Sequence, residues 1–274
     1  MQRDSIANTF RVAILLCLVC SIAVSSLAVG LRSTQKEKKE EFRQQNILKA
    51  AGLWPTGPDA GDVDTKALFE ENIVPVVIDF NKDALTKKWK PGAPEIETDA
   101  ALRDAKLSQQ IDGSDEMGSD IAGIRRREGF ATIYEVRDGD RLKTLILPIR
   151  GYGLWSTLWG FIAVDFSDAT NEAVSLKVEG LTYYKHAETP GLGGEVDNPA
   201  WKEKWSDRQI FDSEWKVRLE VVKNATGSYQ VDALSGATIT SNGVSNMLLY
   251  WLGEPGYGPY LKSLVEKNDG RANP

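Results

Sequence analysis

The chain has almost no cysteine and almost no histidine, and both shortages limit the chemistry open to it. Of its 274 residues, only Cys17 and Cys20 are cysteines and only His186 is a histidine. Everything after Cys20 therefore lacks thiols, so no disulfide framework can form there. A single imidazole also excludes a three-histidine zinc site and an HExxH metalloprotease within one protomer. Hydrolytic or metal-centred chemistry would have to rely mainly on carboxylates and hydroxyls.

An excess of basic charge is also missing. Asp and Glu number 39 against 33 Lys and Arg, which gives a net charge of −6. A surface that binds nucleic acid is therefore not expected. The apolar fraction of 42% is enough to form a core but too low for many membrane spans. The composition thus excludes both a disordered chain and a polytopic transporter.

One long apolar run lies near the start of the chain. Residues 12–31 contain no charged side chain, and at about 1.5 Å per residue this run would cross roughly 30 Å, the thickness of a bilayer core. We predict a cytoplasmic leader at 1–11, a transmembrane anchor at 12–31 in contact with membrane lipid, and an exported remainder. The alternative is a signal peptide cleaved near Ser26-Leu27-Ala28. Cys17 and Cys20 are interpreted as packing residues of the apolar helix.

The remainder predicts one α+β domain with a mostly antiparallel sheet. A polar stretch at 32–53 indicates a juxtamembrane helix, and 54–274 form the exported domain. A strand begins near Ile73, where Pro75 suits an edge position. Two apolar segments around Asp138-Gly139-Asp140 indicate a hairpin. The segments WGFIAVDF and EAVSLKVEG indicate two further strands, whereas residues 82–126 contain no motif that indicates a function.

The carboxy-terminal third alternates helix and strand patterns. PAWKEKW predicts a short helix with Trp201 and Trp205 on one face, and EWKVRLEVVK alternates as a strand does. An amphipathic helix is predicted from apolar residues at helical spacing, namely Val244, Met247, Leu248, Trp251 and Leu252.

Two loops carry the residues that could bind a ligand. HAETPGLGG, residues 186–194, has three glycines and a proline, so its backbone could approach a planar or phosphorylated ligand closely; an ordinary turn is the alternative. DALSGATITSNG, residues 232–243, places hydroxyls and a glycine directly before the amphipathic helix. A helix N-terminus there would favour a phosphate. The alternative is a simple capping sequence with Ser241 or Asn242 as the N-cap.

The segment Asp232-Ala233-Leu234-Ser235-Gly236-Ala237-Thr238 resembles the Dxx[ST]GAT flavinylation motif. Together with HAETPGLGG, GYGLWSTLWGFIAVD and WLGEPGYGPYLKSL, it makes the chain similar to the C subunit of the sodium-translocating NADH:quinone reductase. That resemblance implies an electron-transfer subunit of the bacterial inner membrane with its main domain in the periplasm. Electrons would pass between a membrane-embedded iron–sulfur centre and the flavin of a neighbouring subunit, while the whole complex exports sodium.

The resemblance also implies the cofactor and its contacts. Thr238 would carry FMN through a phosphoester, added by a flavin transferase that uses FAD and magnesium, and no resident metal would remain. Asp232 belongs to the motif, and the phosphate end would be shaped by Ser235, Gly236 and Ala237. The ring system would lie near Glu188, Thr189, Leu192 and Gly193, with Leu154 and Trp155 as further candidates. No residue is assigned as catalytic, and His186 is expected to stabilise its loop.

Three other functions remain open at this stage. The G subunit of an Rnf-type ferredoxin:NAD oxidoreductase shares the flavinylation motif. A non-redox exported module could hold a carbohydrate or peptide in the same two loops. A secreted hydrolase with Ser235 as the nucleophile is the third, but a GxSxG elbow is absent and one histidine serves the whole chain.

Overall fold

The computed structural model describes residues 6–57, 61, 63–80, 98–104, 106–111, 113, 118–170 and 172–269. The chain divides into two compact units, Met1–Arg43 and Gln44–Pro274. Much of the stretch 82–126, for which the sequence indicates no function, lies outside the described residues.

The first unit is helical, and residues 44–50 at the end of its second helix already belong to the second unit. Helix α1, Ile6–Gly30, has a mean hydropathy of 2.7, and within the described residues it is the one helix long and apolar enough to span a membrane. Helix α2, Arg32–Ala50, follows after one residue and is polar over its first three turns, where Lys38–Glu41 and Arg43–Glu40 form ion pairs at i, i+3. An apolar helix and a polar helix therefore occupy the segments expected to be anchor and juxtamembrane helix.

The second unit is built around a sheet. Its helices are α3 (Thr65–Asn72), α4 (Thr98–Arg103), α5 (Pro199–Lys202), α6 (Thr238–Leu252) and α7 (Gly258–Asp269). Its strands are β1 (Val74–Asp79), β2 (Ser108–Gln110), β3 (Arg126–Glu128), β4 (Phe130–Asp138), β5 (Arg141–Tyr152), β6 (Thr157–Asp165), β7 (Lys177–Lys185), β8 (Glu220–Val222) and β9 (Gln230–Asp232). Five strands form one antiparallel sheet in the order β1-β4-β5-β6-β7, and β8 and β9 pair in parallel. The expected α+β fold is confirmed.

Each face of the sheet is covered by helices. Because successive residues of a strand point to opposite faces, Leu145 and Leu147 of β5 belong to one core and Ile146 to the other. The first core includes the buried apolar residues of α6 and α7. The second includes Phe69 of α3 and the last turn of α2, where Ile47 is fully buried. Helix α6 and the end of α2 therefore pack on opposite faces of the sheet.

A buried polar network holds α6 along β5. The guanidinium of Arg150, on β5, donates to Glu128 at 2.7 Å and to the carbonyl oxygen of Arg126 at 2.7 Å. It also lies 5.0 Å from the centre of the Trp251 ring. The indole N–H of Trp251 donates to the carbonyl oxygen of Arg150 at 2.7 Å, which fixes the end of α6 on the strand.

Most predicted elements are present at nearly the predicted positions. Pro75 lies in β1 at the sheet edge, and Gly139-Asp140 join β4 to β5. Trp201 and Trp205 are buried and contact each other edge to face, with 5.3 Å between their ring centres. Two strand predictions were too long. The strand predicted for EAVSLKVEG begins only at Lys177, because Ala173–Ser175 form a 3₁₀ turn. Of the strand predicted for EWKVRLEVVK, only Glu220–Val222 form a strand.

Candidate functional site

Three loops meet at the first turn of α6. They are the β5–β6 loop at 153–156, the loop after β7 at 186–194, and the loop at 233–237 that leads from β9 into α6. A Cβ added to Gly243 of α6 would lie 2.4 Å from the carbonyl oxygen of Tyr152. This close approach requires glycine and brings the helix against the end of β5, next to the first loop.

The carboxylate of Glu188 connects two of these loops to the helix. It is buried, with 5% of the residue exposed. Its Oε1 accepts hydrogen bonds from the backbone N–H groups of Trp155 and Ser156, both at 3.0 Å, and from the Ser156 hydroxyl at 3.3 Å. Its Oε2 accepts from the Leu154 N–H at 3.2 Å and from the Thr240 hydroxyl at 2.8 Å. All acceptor directions of the carboxylate are thus engaged within the protein.

These hydrogen bonds keep Glu188 ionised. Burial alone would raise the pKa of its carboxyl, but the hydrogen bonds from Thr240 and from the amides of Trp155, Leu154 and Ser156 outweigh burial and lower it. The carboxylate fits only because two neighbours lack side chains. A Cβ on Gly153 would lie 2.7 Å from Glu188 Oε1, and one on Gly193 would lie 2.6 Å from both Glu188 Oε2 and the Thr240 hydroxyl.

His186 holds the start of its loop. Its Nδ1 accepts a hydrogen bond from the Glu188 N–H at 3.2 Å, and its Nε2 lies 2.7 Å from an Asp197 carboxylate oxygen. This pairing assigns the proton to Nε2, which donates to Asp197. Lys202 donates to the other Asp197 oxygen at 3.0 Å. Burial opposes ionisation of Asp197, but the hydrogen bonds from His186 and Lys202 lower its pKa. His186 thus makes the loop-stabilising contacts expected from the sequence.

Helix α6 begins at Thr238, so the assignment of Ser241 or Asn242 as the N-cap was wrong. Ala237 occupies the N-cap position, and no side chain of the described residues caps the helix there. Ser241 is buried inside the first turn, where its hydroxyl accepts from the Leu234 N–H at 3.1 Å and pulls the preceding loop back against the helix. The side chain of Thr238 is exposed.

Inside this loop, Gly236 has φ = +70°, a conformation that favours glycine, and a Cβ there would lie 3.1 Å from Leu192. Ser235 is exposed and Ala237 is buried. The loop after β7 therefore contacts the loop before α6 through Leu192. Thr189 is exposed, and its carbonyl oxygen accepts from the N–H groups of Leu192 and Gly194 at 3.1 and 2.9 Å.

Asp232 takes its partners from within the protein. One carboxylate oxygen accepts from Lys204 at 2.9 Å and the other from the Ala225 N–H at 3.0 Å. The hydrogen bond from Lys204, and then that from Ala225, lower the pKa of this carboxyl. Its carbonyl oxygen accepts from the Trp201 indole at 2.8 Å. These contacts anchor the start of the loop, and a contact between Asp232 and the cofactor stays a prediction.

Exposed apolar side chains occur on two of these loops, 153–156 and 186–194, and in the first turn of α6 itself. The exposed fractions are 66% for Trp155, 40% for Leu154, 44% for Leu192 and 57% for Ile239. Side chains of this size are usually buried, so together they form a candidate contact surface for an apolar ring. Ile239 and Ser156 were not predicted from the sequence. The signal for Ile239 is its position beside Thr238 in an otherwise polar first turn. Ser156 carried no signal, because its role depends on Glu188, which is distant in sequence.

The described residues contain no group of three or more His, Cys, Asp or Glu side chains that could hold a metal ion.

Comparisons with known proteins point to one kind of protein. A family model described as an FMN-binding domain matches residues 153–253. The C subunit of the Na(+)-translocating NADH-quinone reductase of Yersinia pestis is 41% identical over 269 residues, which cover 97% of this chain and 95% of that protein. Its counterpart from Pseudomonas aeruginosa is 39% identical, over 96% and 97% of the two chains. The crystal structure of Shewanella oneidensis NqrC matches with a TM-score of 0.66 and 25% identity, covering 85% of this chain and 99% of that chain.

Proposed function

Because this chain belongs to the family of C subunits of the sodium-translocating NADH:quinone reductase, we propose that its FMN-binding domain carries FMN on Thr238 through a phosphoester bond. As a member of that family it serves electron transfer within an oxidoreductase complex, together with the other subunits of that complex. The observation that carries the attachment proposal is the position of Thr238, whose exposed side chain lies at the start of a helix that no described side chain caps.

The residues at this position fit a phosphodiester. The first amides of a helix point outwards and carry the positive end of the helix dipole, so an anion can take the place of the missing cap. Gly236 leaves its side of the loop without a side chain, and the exposed Ser235 hydroxyl is available as a further donor. Ser241 already holds the loop in place through Leu234, which means that the amides are positioned before the phosphate arrives.

The apolar surface formed by Leu154, Trp155, Leu192 and Ile239 would hold the ring system. Apolar side chains that remain exposed beside an attachment point gain free energy when a planar ring covers them. FMN when bound supplies reversible electron uptake and release, while the protein supplies position and electrostatics. The described residues accordingly need only to bind, orient and partly shield the ring. No side chain here is required to transfer a proton.

Attachment requires a separate transferase. We propose that an FAD- and magnesium-dependent flavin transferase acts on the domain during maturation. The Thr238 hydroxyl would give its proton to a base of the transferase as its oxygen forms a bond to the FMN phosphorus, the pyrophosphate bond of FAD would break, and AMP would leave. Magnesium would assist that transfer and then depart. The exposure of Thr238 supports this step because the hydroxyl can reach a second active site.

The experiment uses the full chain expressed with and without its transferase. Wild type, Thr238→Ala and the control variant Ser213→Ala, which removes an exposed hydroxyl in another turn, are denatured, and in-gel flavin fluorescence and intact mass are recorded. We expect fluorescence and the added mass of FMN less one water in wild type and Ser213→Ala, and neither in Thr238→Ala. An unmodified wild type, with a transferase that modifies a control substrate, would overturn the proposal and favour a non-redox binding module. The intact masses also show whether the apolar segment at 12–31 has been cleaved.

Membrane association follows from the apolar helix and from membership of a membrane complex. We propose a single span in the bacterial inner membrane with the FMN domain on the periplasmic side. An alkaline phosphatase fused after residue 274 should be active and a green fluorescent protein fused there should stay dark. The reverse pair of results would place the domain in the cytoplasm.

A further inference from the structure

Glu188 connects two parts of the site that the sequence separates widely. Its carboxylate accepts hydrogen bonds from the backbone of Leu154, Trp155 and Ser156 and from the side chain of Thr240. Thr240 is in the first turn of α6, two residues after Thr238. Leu154 and Trp155 are two of the exposed apolar residues beside that turn. One side chain therefore joins the segment that bears the attachment point to the segment that borders it.

We propose that Glu188 is a positioning residue that locks the 154–156 loop against the first turn of α6, and that its negative charge lowers the redox potential of the flavin on Thr238. The second half of this inference rests on the proposed function. Glu188 would act without contacting the ring, because its carboxylate oxygens are already engaged by the five hydrogen bonds described above.

The chemistry of the acceptor explains why a carboxylate is needed. A carboxylate offers only acceptors, and every group that faces Glu188 here is an N–H or O–H donor. A glutamine in the same position would present an NH₂ group to at least one of these donors. The Thr240 hydroxyl could rotate to accept from that NH₂ group, but the Leu154 N–H could not. The 154–156 loop would then lose an anchoring hydrogen bond.

The backbone of Glu188 is fixed as well. Its N–H donates to His186 Nδ1, and His186 is held in turn by Asp197, which also pairs with Lys202. Gly153 and Gly193 provide the space that the carboxylate occupies, because a Cβ on Gly153 would lie 2.7 Å and one on Gly193 2.6 Å from a carboxylate oxygen. The charge of Glu188 is therefore held at a constant place in the site.

A fixed negative charge close to an electron acceptor makes reduction less favourable, and a buried position weakens the screening by water. Replacing Glu188 by glutamine should therefore shift the midpoint potential of the flavin to more positive values. If Glu188 only held the loop in place, its replacement would leave the midpoint potential at the wild-type value as long as the flavin stays in position.

The test uses the full chain, flavinylated by its transferase, in wild type and three variants. Glu188→Gln removes the charge and keeps the shape. Thr240→Val removes one hydrogen bond and keeps the charge. Glu179→Gln, on β7 beside Gly52, removes one acidic group away from the site and serves as the charge control. Spectroelectrochemistry gives the midpoint potential, and hydrogen exchange with mass spectrometry follows the 154–156 amides in unflavinylated protein.

We expect a positive potential shift in Glu188→Gln that exceeds the shifts in Thr240→Val and Glu179→Gln. We also expect the 154–156 amides to exchange at least roughly ten times faster in Glu188→Gln than in wild type, whereas in Glu179→Gln they should exchange at the wild-type rate. Unchanged exchange in Glu188→Gln would refute the positioning role. An unchanged potential in flavinylated Glu188→Gln would refute the electrostatic role and leave the proposed function intact. A wild type without covalent flavin would overturn the proposed function and the electrostatic half together, and the exchange data would still decide the positioning half.

Discussion

The contact between α6 and the end of β5 predicts that Gly243→Ala destabilises the domain, although alanine is the better helix former. Alanine in place of a helical glycine ordinarily stabilises by about 0.5–1 kcal/mol. Here, however, the new Cβ would lie 2.4 Å from the Tyr152 carbonyl oxygen and 3.2 Å from Gly153 Cα, where ordinary contact begins at 3.4 Å. These are backbone atoms, so no side chain can rotate away. The helix therefore has to move by about 1.0 Å to lengthen the 2.4 Å contact to the ordinary 3.4 Å.

Overpacking of this kind costs roughly 1–3 kcal/mol, and the rigid neighbours favour the upper part of that range. After the gain in helix propensity is subtracted, the unfolding free energy should fall by about 1–2 kcal/mol. For a domain of this size the Tm would drop by about 2–8 °C. The assay is thermal unfolding of the detergent-solubilised chain, followed by tryptophan fluorescence.

Asn246→Ala is the matched control, because Asn246 is exposed on the same helix and alanine there gains propensity without a clash. Its Tm should equal or slightly exceed that of wild type. A Gly243→Ala chain as stable as Asn246→Ala would refute the reasoning, since it would show that α6 can move away from the end of β5 without a loss of unfolding free energy.

Three further predictions concern stability. Glu128→Ala leaves the buried Arg150 guanidinium without a carboxylate to neutralise its charge and should cost about 3–5 kcal/mol in the same thermal assay; a loss below about 1 kcal/mol would contradict the role of this pair. Thr182→Val removes the 2.9 Å hydrogen bond to the Asn46 carbonyl oxygen, and should cost about 1 kcal/mol and speed limited proteolysis near the end of α2. Because the pKa of Glu188 is lowered in the folded state, its contribution is complete above the ordinary glutamate pKa of 4.5 and is lost as the pH falls below that value and through the lowered pKa. The Tm difference between wild type and Glu188→Gln should therefore narrow in acid, and a constant difference would contradict the ionised state.

Local patterns predicted the elements well where the signal depends on neighbouring residues alone. Pro75 lacks a backbone donor and so indicated an edge strand, and the Asp-Gly turn indicated the hairpin. The start of α6 was misjudged because Ser241 is a good capping residue by type. In the fold its hydroxyl instead accepts from Leu234, a contact that requires the loop to turn back on the helix.

The site was predicted only in part for a similar reason. The flavinylation motif and the glycine-rich loop are continuous in sequence and carry their own signals. The role of Glu188 is different, since its donors come from residues more than thirty positions before it and fifty positions after it. No periodicity links such positions. Only the fold, in which β6 lies between β5 and β7 and α6 packs on one face of the sheet, brings them together.

The internal partners of Asp232 affect how a genetic screen of this segment would be interpreted. In a random library scored for loss of flavin, substitutions at Asp232 and Ser241 would resemble substitutions at Thr238. Only those at Thr238 would remove the hydroxyl that we propose carries FMN, whereas the others would release the loop that presents it. A map of loss-of-flavin alleles would therefore overstate the surface that the proposed transferase recognises. Scoring each allele for folding as well would separate the two groups.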